Sequence, residues 1–131
     1  MRSESSFEID GDLILVDVDL VGPGGRDRAR LVLDTGSALT TLIPELAEAI
    51  GYSSADRVAR SVVRSAVAEE RGYIVRLSRL AAFGFTVPGV RVNVVELGHG
   101  IDGLLGMDVL SGFNFEIRPA ERRIFVERLV L

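Results

Sequence analysis

The segment Leu31–Leu42, LVLDTGSALTTL, places a carboxylic acid inside an apolar stretch. Val32 and Leu33 are typical of a buried strand, but the chain turns polar at Asp34–Ser37 before apolar residues return. A lone carboxylate in such a place is costly unless it is paired, hydrogen-bonded or protonated. The sequence therefore predicts that Asp34 has a partner that justifies its burial.

Composition narrows the chemistry that this chain can carry. Its 131 residues suffice for one domain with a hydrophobic core, and 47% apolar with 26% charged residues is ordinary for a globular protein. The absence of cysteine excludes disulfides and Cys-based zinc sites. The single histidine, His99, lies in the glycine-flanked stretch LGHGID, and we expect it to be a solvated loop residue. We therefore expect neither a metal nor another cofactor.

Charge and hydropathy bear on partners and location. The net charge of −4 gives nucleic acid no electrostatic reason to bind. No apolar run approaches the ~20 residues that span a bilayer, and the acidic, alternating N-terminus is unlike a signal peptide. We expect a cytoplasmic protein that binds neither nucleic acid nor membrane. All 15 basic residues are arginine, which is a weak hint of a GC-rich bacterial source.

Alternating apolar residues over positions 7–20 predict a strand with acids on one face. The turn cluster VGPGG separates this strand from RARLVLD, so the two are expected to form a hairpin that ends at Asp34. Pro44 is expected to begin a short helix that Gly51 closes. Residues 54–71 fit either a helical stripe or a strand, and periodicity leaves the choice open.

The C-terminal half has strand character from Gly72 to Leu97, with breaks at glycine and proline. The stretch IDGLLGMDVLSGF predicts a short apolar strand followed by one helical turn, and residues 113–126 predict a closing hairpin. The chain is therefore expected to be mostly β, with many short strands, in one domain spanning residues 1–131.

By itself, the triplet Asp34-Thr35-Gly36 is a weak signal. A strand that ends in a turn, with Asp34 and Ser37 capping backbone amides, explains it at least as well. A second motif, GLLGMDVL around Gly106, changes this balance. Glycine has no side chain, so another backbone can lie close to it.

The two motifs, in this order and spacing, resemble the retropepsin-like aspartic proteases, the family of the retroviral proteases and their bacterial single-domain relatives. The resemblance runs from Leu13 to Val126. It implies an acid-protease fold, a small closed β-barrel with a flap hairpin and one or two short helices. Met107 and Asp108, after Gly106, point to the bacterial-type branch, and we interpret Asp108 as a helix N-terminal carboxylate rather than a catalytic one.

The resemblance also implies a mechanism. Peptide hydrolysis without a metal needs a base that activates water and an acid that polarises the carbonyl group, and two carboxylates sharing one proton supply both. The chain has one Asp-Thr-Gly copy, so the second carboxylate is expected from Asp34 of a second chain in a homodimer. Leu104 and Leu105 are expected to wall this site, and the apolar end, Leu129–Leu131, to be covered in the dimer.

Roles for particular residues follow from the same resemblance. Asp34 is the catalytic acid, the Thr35 hydroxyl bonds to the partner's loop, and the Gly36 amide approaches the carboxylate. Ser37 is expected to donate a hydrogen bond to Asp34. Contacts with a peptide or protein substrate are expected from seven side chains, namely Ser37, Ala66, Val67, Ala68, Ile101, Asp102 and Leu104. The flap region RSAVAEERGY departs from the family because it lacks a glycine-rich tip.

Three functional hypotheses stay open on the sequence. The first is a homodimeric aspartic endopeptidase that cuts extended peptides. The second is a catalytically weak or inactive module of the same fold that dimerises or binds peptides, which the altered flap and the acidic balance favour. The third is an unrelated β-barrel that carries the motif by accident.

Overall fold

A computed structural model describes residues 1–64, 66, 69–98 and 100–128, with only the backbone described at positions 63 and 64. Short strands dominate it, as the sequence predicts. The strands are β1 (Arg2–Ser6), β2 (Glu8–Asp10), β3 (Leu13–Gly22), β4 (Gly25–Leu33), β5 (Thr41–Leu42), β6 (Ala59–Arg64), β7 (Glu69–Arg76), β8 (Arg79–Ala82), β9 (Phe85–Pro88), β10 (Arg91–Val94), β11 (Gly103–Leu105), β12 (Phe113–Arg118) and β13 (Arg123–Arg128). The helices are α1 (Pro44–Ala49), α2 (Met107–Leu110) and a single 3₁₀ turn (Ser54–Asp56).

The strands form two sheets. The smaller one is antiparallel, in the order β1-β13-β12. The larger one follows the order β6-β7-β10-β5-β11-β4-β3-β8-β9, with β2 added on β3. It curls into a half-barrel whose end strands, β6 and β9, do not pair with each other in the described part of the chain. The mostly β class and the short helices are confirmed, and the barrel of the expectation is open along one side.

The hairpin of β3 and β4 delivers Asp34 to the end of a buried strand. Along β3, Val16, Val18 and Leu20 are buried, and the aspartates between them face outward. The strands turn where Gly22 pairs with Gly25, at the predicted cluster VGPGG. The predicted hairpin is confirmed, but the strand expected over positions 7–20 is interrupted after β2.

The hairpin of β6 and β7 settles the ambiguity of residues 54–71. Ala59 pairs with Ile74 and Arg64 with Glu69, so residues 59–64 and 69–71 lie in strands rather than in a helix, after the single 3₁₀ turn at Ser54–Asp56. Val62 remains 47% exposed on it. Alternation with β-branched residues, satisfied by cross-strand pairs, therefore prevails over the helical stripe that the same residues can also form.

The small sheet joins the two ends of the chain. β1, with the sequence RSESS, has no apolar residue, yet it pairs with β13 along its whole length. Arg2 and Glu127 form an ion pair at 2.8 Å, and this hydrogen bond and charge hold the pKa of Glu127 below its ordinary value. Leu129–Leu131, expected at the dimer interface, lie outside the described residues.

Candidate functional site

Strand β11 lies between β4 and β5 and brings the two sequence motifs together. It runs parallel to β4, with Leu105 opposite Leu33, and antiparallel to β5, with Leu104 opposite Thr41. The amide of Asp34 donates to the carbonyl of Leu105 at 3.0 Å. The loop that connects β4 to β5 must therefore pass the end of β11, which is where Gly106 follows.

Gly106 meets the backbone of this loop directly. A Cβ on Gly106 would lie 2.7 Å from the carbonyl carbon of Leu39 and 2.9 Å from the carbonyl oxygen of Ser37. Contacts this short do not occur for real side chains, so the position requires glycine. Just beyond it, the amide of Met107 donates to the carbonyl of Ser37 at 2.8 Å. The close backbone approach predicted from the sequence is confirmed.

Asp108 fixes the far end of the same loop. Its two carboxylate oxygens accept the Thr40 amide at 3.0 and 3.1 Å, and Oδ1 accepts the Thr40 hydroxyl at 2.8 Å. The hydroxyl in turn accepts the amide of Gly106 at 3.1 Å. Because Asp108 stands in the first turn of α2 and also accepts the amide of Val109, its carboxylate is committed to structure.

Asp34 is half-buried in the single chain, and a backbone amide orients its carboxylate. The amide of Gly36 donates to Asp34 Oδ1 at 3.0 Å, and a Cβ on Gly36 would lie 3.3 Å from that oxygen. No ion pair to Asp34 occurs among the described residues. Thr35 is exposed, and within the same part of the chain its hydroxyl makes no hydrogen bond.

Ser37 acts differently from the prediction. Its hydroxyl donates to the carbonyl of Leu39 at 2.8 Å rather than to Asp34. The donor chooses a carbonyl two residues ahead, within its own turn, which is a common preference of serine. The expectation of a Ser37–Asp34 hydrogen bond is therefore wrong for the single chain.

A cleft of about 300 Å³ opens between the Asp34 loop and the β6–β7 hairpin. Its surface is mostly apolar. The residues that line it are Ser37, Ala38, Leu39, Thr41, Ser61, Val62, Glu70, Asn93, Val95, Glu96, Leu97 and Leu104. Of the seven predicted substrate contacts it contains Ser37 and Leu104. Leu105, predicted to wall the site beside Leu104, is instead fully buried in the core.

The remaining predicted residues lie elsewhere or outside the description. Asp102 accepts the amide of Ile43 on its carbonyl at 3.1 Å and the amide of Arg30 on its carboxylate at 3.4 Å. Neither Asp102 nor Ile101 lines the cleft, and Ala66 is exposed at the end of the hairpin. Two further predicted substrate contacts and the loop histidine fall outside the described residues, namely Val67, Ala68 and His99.

A larger cleft, of about 520 Å³, lies on the small sheet, and none of the site residues lines it. Its charged side chains are already paired, with Arg2 on Glu127 and Arg118 on Glu116. The guanidinium of Arg118 also stacks 4.4 Å above the ring of Phe125. This surface offers a ligand little unpaired charge, and it is not the candidate site.

Two absences concern the described part of the chain. No group of three or more His, Cys, Asp or Glu side chains there could hold a metal ion. None of the helices described reaches the length and apolarity that crossing a bilayer requires.

Comparisons with known proteins agree with this geometry. The model of a family described as aspartyl protease matches residues 16–109. A retropepsin-like aspartic protease from Rickettsia conorii has a similar structure, with a TM-score of 0.73 and 19% identity over 96% of this chain and 91% of that chain. The retroviral protease-like domain of Ddi1 from Leishmania major gives 0.60 and 16%, over 90% of this chain and 94% of that chain. No curated protein gives a significant sequence match.

The two structural matches show the fold, which is retropepsin-like. The family match covers most of the chain and includes both motifs, from β3 to α2. The hypothesis of an unrelated β-barrel with an accidental motif is therefore wrong. The chain belongs to the aspartyl protease family.

Proposed function

We propose that this chain is an aspartic endopeptidase that acts as a homodimer, with Asp34 of each protomer forming the catalytic pair. The observation that carries the proposal is the setting of Asp34. Its carboxylate is oriented by the Gly36 amide at 3.0 Å, at the end of a buried strand. A mostly apolar cleft, which includes Ser37 of the same loop, opens beside it.

The chemistry requires a second carboxylate. One carboxylate of a pair takes a proton from water, while the other, protonated, donates to the carbonyl oxygen of the peptide. Two carboxylates in contact share one proton because ionising both would place like charges side by side. A single Asp34 can therefore supply one of the two roles and not both.

A second copy of the chain is the source of the partner carboxylate in this proposal. Within the chain, Asp102 and Asp108 are engaged by backbone amides of other segments. A twofold axis beside Asp34 places each Asp34 against its own symmetry mate. The exposed Thr35 hydroxyl, unbonded in the described part of one chain, is then available to the loop of the partner.

The substrate in this proposal is an extended peptide or an unfolded protein segment. The cleft is open, and exposed apolar side chains such as Val62 and Leu39 line it. Roles in substrate binding are proposed for Ser37 and Leu104, which line the cleft. They are also proposed for Ala66, Val67, Ala68, Ile101 and Asp102. We place the enzyme in the cytoplasm, acting without nucleic acid, membrane or cofactor.

The test is Asp34→Asn, which keeps the size of the side chain and removes its charge and acidity. We expect cleavage of denatured casein to fall to less than about 1% of wild type, because transition-state stabilisation by both groups is lost. Sedimentation velocity should show the same dimer for both proteins. Asp12→Asn, at an exposed turn, is the matched control and should retain activity.

The contrary results are distinct. Residual cleavage above a few per cent in Asp34→Asn removes Asp34 from the chemistry. A species of ~14 kDa alone at high concentration contradicts the dimer. Peptide binding without any cleavage by the wild-type protein favours the peptide-binding module over the enzyme.

A further inference from the structure

The cleft beside Asp34 combines an apolar floor with acidic groups. Leu39 and Val62 are 36% and 47% exposed, and Val95, Leu97 and Leu104 complete the apolar lining. Exposed apolar side chains grouped around a concave surface lose contact with water when a ligand side chain enters. The floor therefore fits a large aliphatic side chain.

Two carboxylates, Glu70 and Glu96, line the same cleft and are exposed. Neither forms an ion pair or a hydrogen bond within the described part of the chain. Arginine is abundant on this surface, and exposed acids elsewhere, such as Asp17 and Asp19, have arginine partners. Two carboxylates without a cation at the mouth of a cleft favour a positively charged group on the ligand.

Asn93 adds a directional group to the cleft. The residue is 5% exposed, and its side-chain oxygen accepts a hydrogen bond from the Ser61 hydroxyl. Its amide nitrogen has no partner among the described residues. Every fully buried side-chain polar atom in that part of the chain does have a partner, so this nitrogen keeps some contact with solvent, and Asn93 is one of the residues that line the cleft. It is a donor suited to a carbonyl oxygen of a bound peptide.

The geometry of an extended peptide links these features. Successive side chains of a strand point to opposite faces, so those that enter one cleft are two residues apart, about 6.6 Å along the chain. Because the floor and both carboxylates line one cleft of about 300 Å³, the shortest spacing on one face, two residues, suits an aliphatic side chain on the floor and a basic one near Glu70 or Glu96. The backbone between them carries amide and carbonyl groups, and Asn93 of the cleft lining is suited to bind one of them.

We propose that this cleft selects peptide segments in which a large aliphatic residue lies two positions from an arginine or lysine. The proposal rests on the proposed function for the identity of the site, and it names the class of substrate. Glu70 and Glu96 are the residues that set the preference for charge, and the leucine and valine side chains of the floor set the preference for an aliphatic residue.

The test uses three peptides that differ at one position, where arginine, glutamine or glutamate follows a leucine by two residues. A second set of three places the same variable residue two positions before the leucine. In at least one set, kcat/KM should decrease in the order arginine, glutamine, glutamate, with about a tenfold range from two exposed ion pairs. The double variant Glu70→Gln/Glu96→Gln should bring the arginine-to-glutamate ratio close to one. Glu45→Gln/Glu48→Gln, on the exposed side of α1, removes the same two charges and should keep the wild-type ratio.

Two further measurements separate the possible failures. High salt should reduce the preference of the wild type, because ions screen exposed charges. Binding of the same peptides to Asp34→Asn, followed by fluorescence anisotropy, reports the preference without turnover. Cleavage with no preference for charge, or a preference that the double variant retains, overturns this inference and leaves the proposed function standing. If the wild type binds these peptides with charge selectivity but does not cleave them, the proposed function alone is overturned. If it neither binds nor cleaves them, both proposals are overturned.

Discussion

The loop that carries Asp34 and the hairpin of β6 and β7 face the same cleft but are held in different ways. In the loop, backbone groups bond to β11 and α2, and Asp108 anchors Thr40. The hairpin is held by its own ladder and by β10 along one side, and β6 is an edge strand that leaves Val62 exposed. The Asp34 loop is held rigidly, as catalytic geometry requires. The β6–β7 hairpin instead leaves apolar surface exposed, which a bound substrate can bury.

Gly106→Ala tests the rigid side of this comparison and should have the largest effect after Asp34→Asn. The new Cβ would meet backbone atoms of Leu39 at 2.7 and 2.8 Å, so the loop must move. We expect the free energy of unfolding to fall by about 1–3 kcal/mol and cleavage to be largely lost. Denaturant titration and casein cleavage measure the two. Gly112→Ala, whose Cβ would have its nearest neighbour at 3.4 Å, is the control, and equal behaviour of both variants contradicts the argument.

Asp108→Ala tests the anchor at the other end of the loop. It leaves the part-buried amide and hydroxyl of Thr40 without their acceptor, which costs about 1–3 kcal/mol of stability. Asp108→Asn keeps one acceptor oxygen and should lose less. Thermal unfolding and kcat/KM should follow the order wild type, Asn variant, Ala variant. A loss as large in Asp12→Ala, at an exposed turn, would show that the anchor has no special role.

Val62→Ser tests the exposed side of the comparison. Because the side chain is 47% exposed in the free protein, stability should change by less than about 0.5 kcal/mol. A substrate bound over residue 62 makes fewer apolar contacts in the variant than in the wild type, so we expect KM to rise by about threefold to tenfold. Val58→Ser is the matched control, since Val58, just before β6, is 53% exposed but does not line the cleft. The same KM for both variants removes Val62 from the binding surface.

Arg2→Gln should have the smallest effect of these variants. Arg2 lies on the small sheet, which is part of neither the Asp34 loop nor the β6–β7 hairpin. The hydrogen bond and charge of Arg2 lower the pKa of Glu127, so this pair stabilises the fold above the ordinary pKa of a glutamate. The contribution disappears as the pH falls through the lowered pKa. The difference in Tm between wild type and Arg2→Gln should be small at neutral pH and low salt, and it should vanish once the pH lies below the lowered pKa of Glu127. Arg79→Gln, at an exposed arginine on β8, controls for net charge, and a difference that persists in acid contradicts the prediction.

Much of the rigid part of the site was predictable from the sequence. The motif around Asp34 and the glycine at position 106 each restrict the local backbone, and the retropepsin-like fold satisfies both restrictions. The hairpin of β3 and β4 also followed from its alternating pattern and turn residues. Where a residue type has one physical reason to be in place, as Gly106 does against Leu39, the sequence indicates the contact itself.

The exposed part of the site was less accessible to sequence reasoning. Leu39, Val62 and Leu97 line the cleft because three separate segments converge there, and no local pattern marks such a meeting. Ser37 had two acceptors within reach, and the sequence could not show that it would choose the carbonyl of Leu39. β1 was missed because its apolar partner residues belong to β13, at the other end of the chain.

The position of β11 between β4 and β5 has a consequence for biosynthesis. The three strands meet only after a chain segment about seventy residues distant in sequence has arrived, and contacts of such separation form late in folding. A nascent chain that has not yet produced Gly103–Leu105 leaves Asp34 without the carbonyl of Leu105 and the backbone around Gly106. The order of synthesis thus delays assembly of the site until most of the chain has left the ribosome.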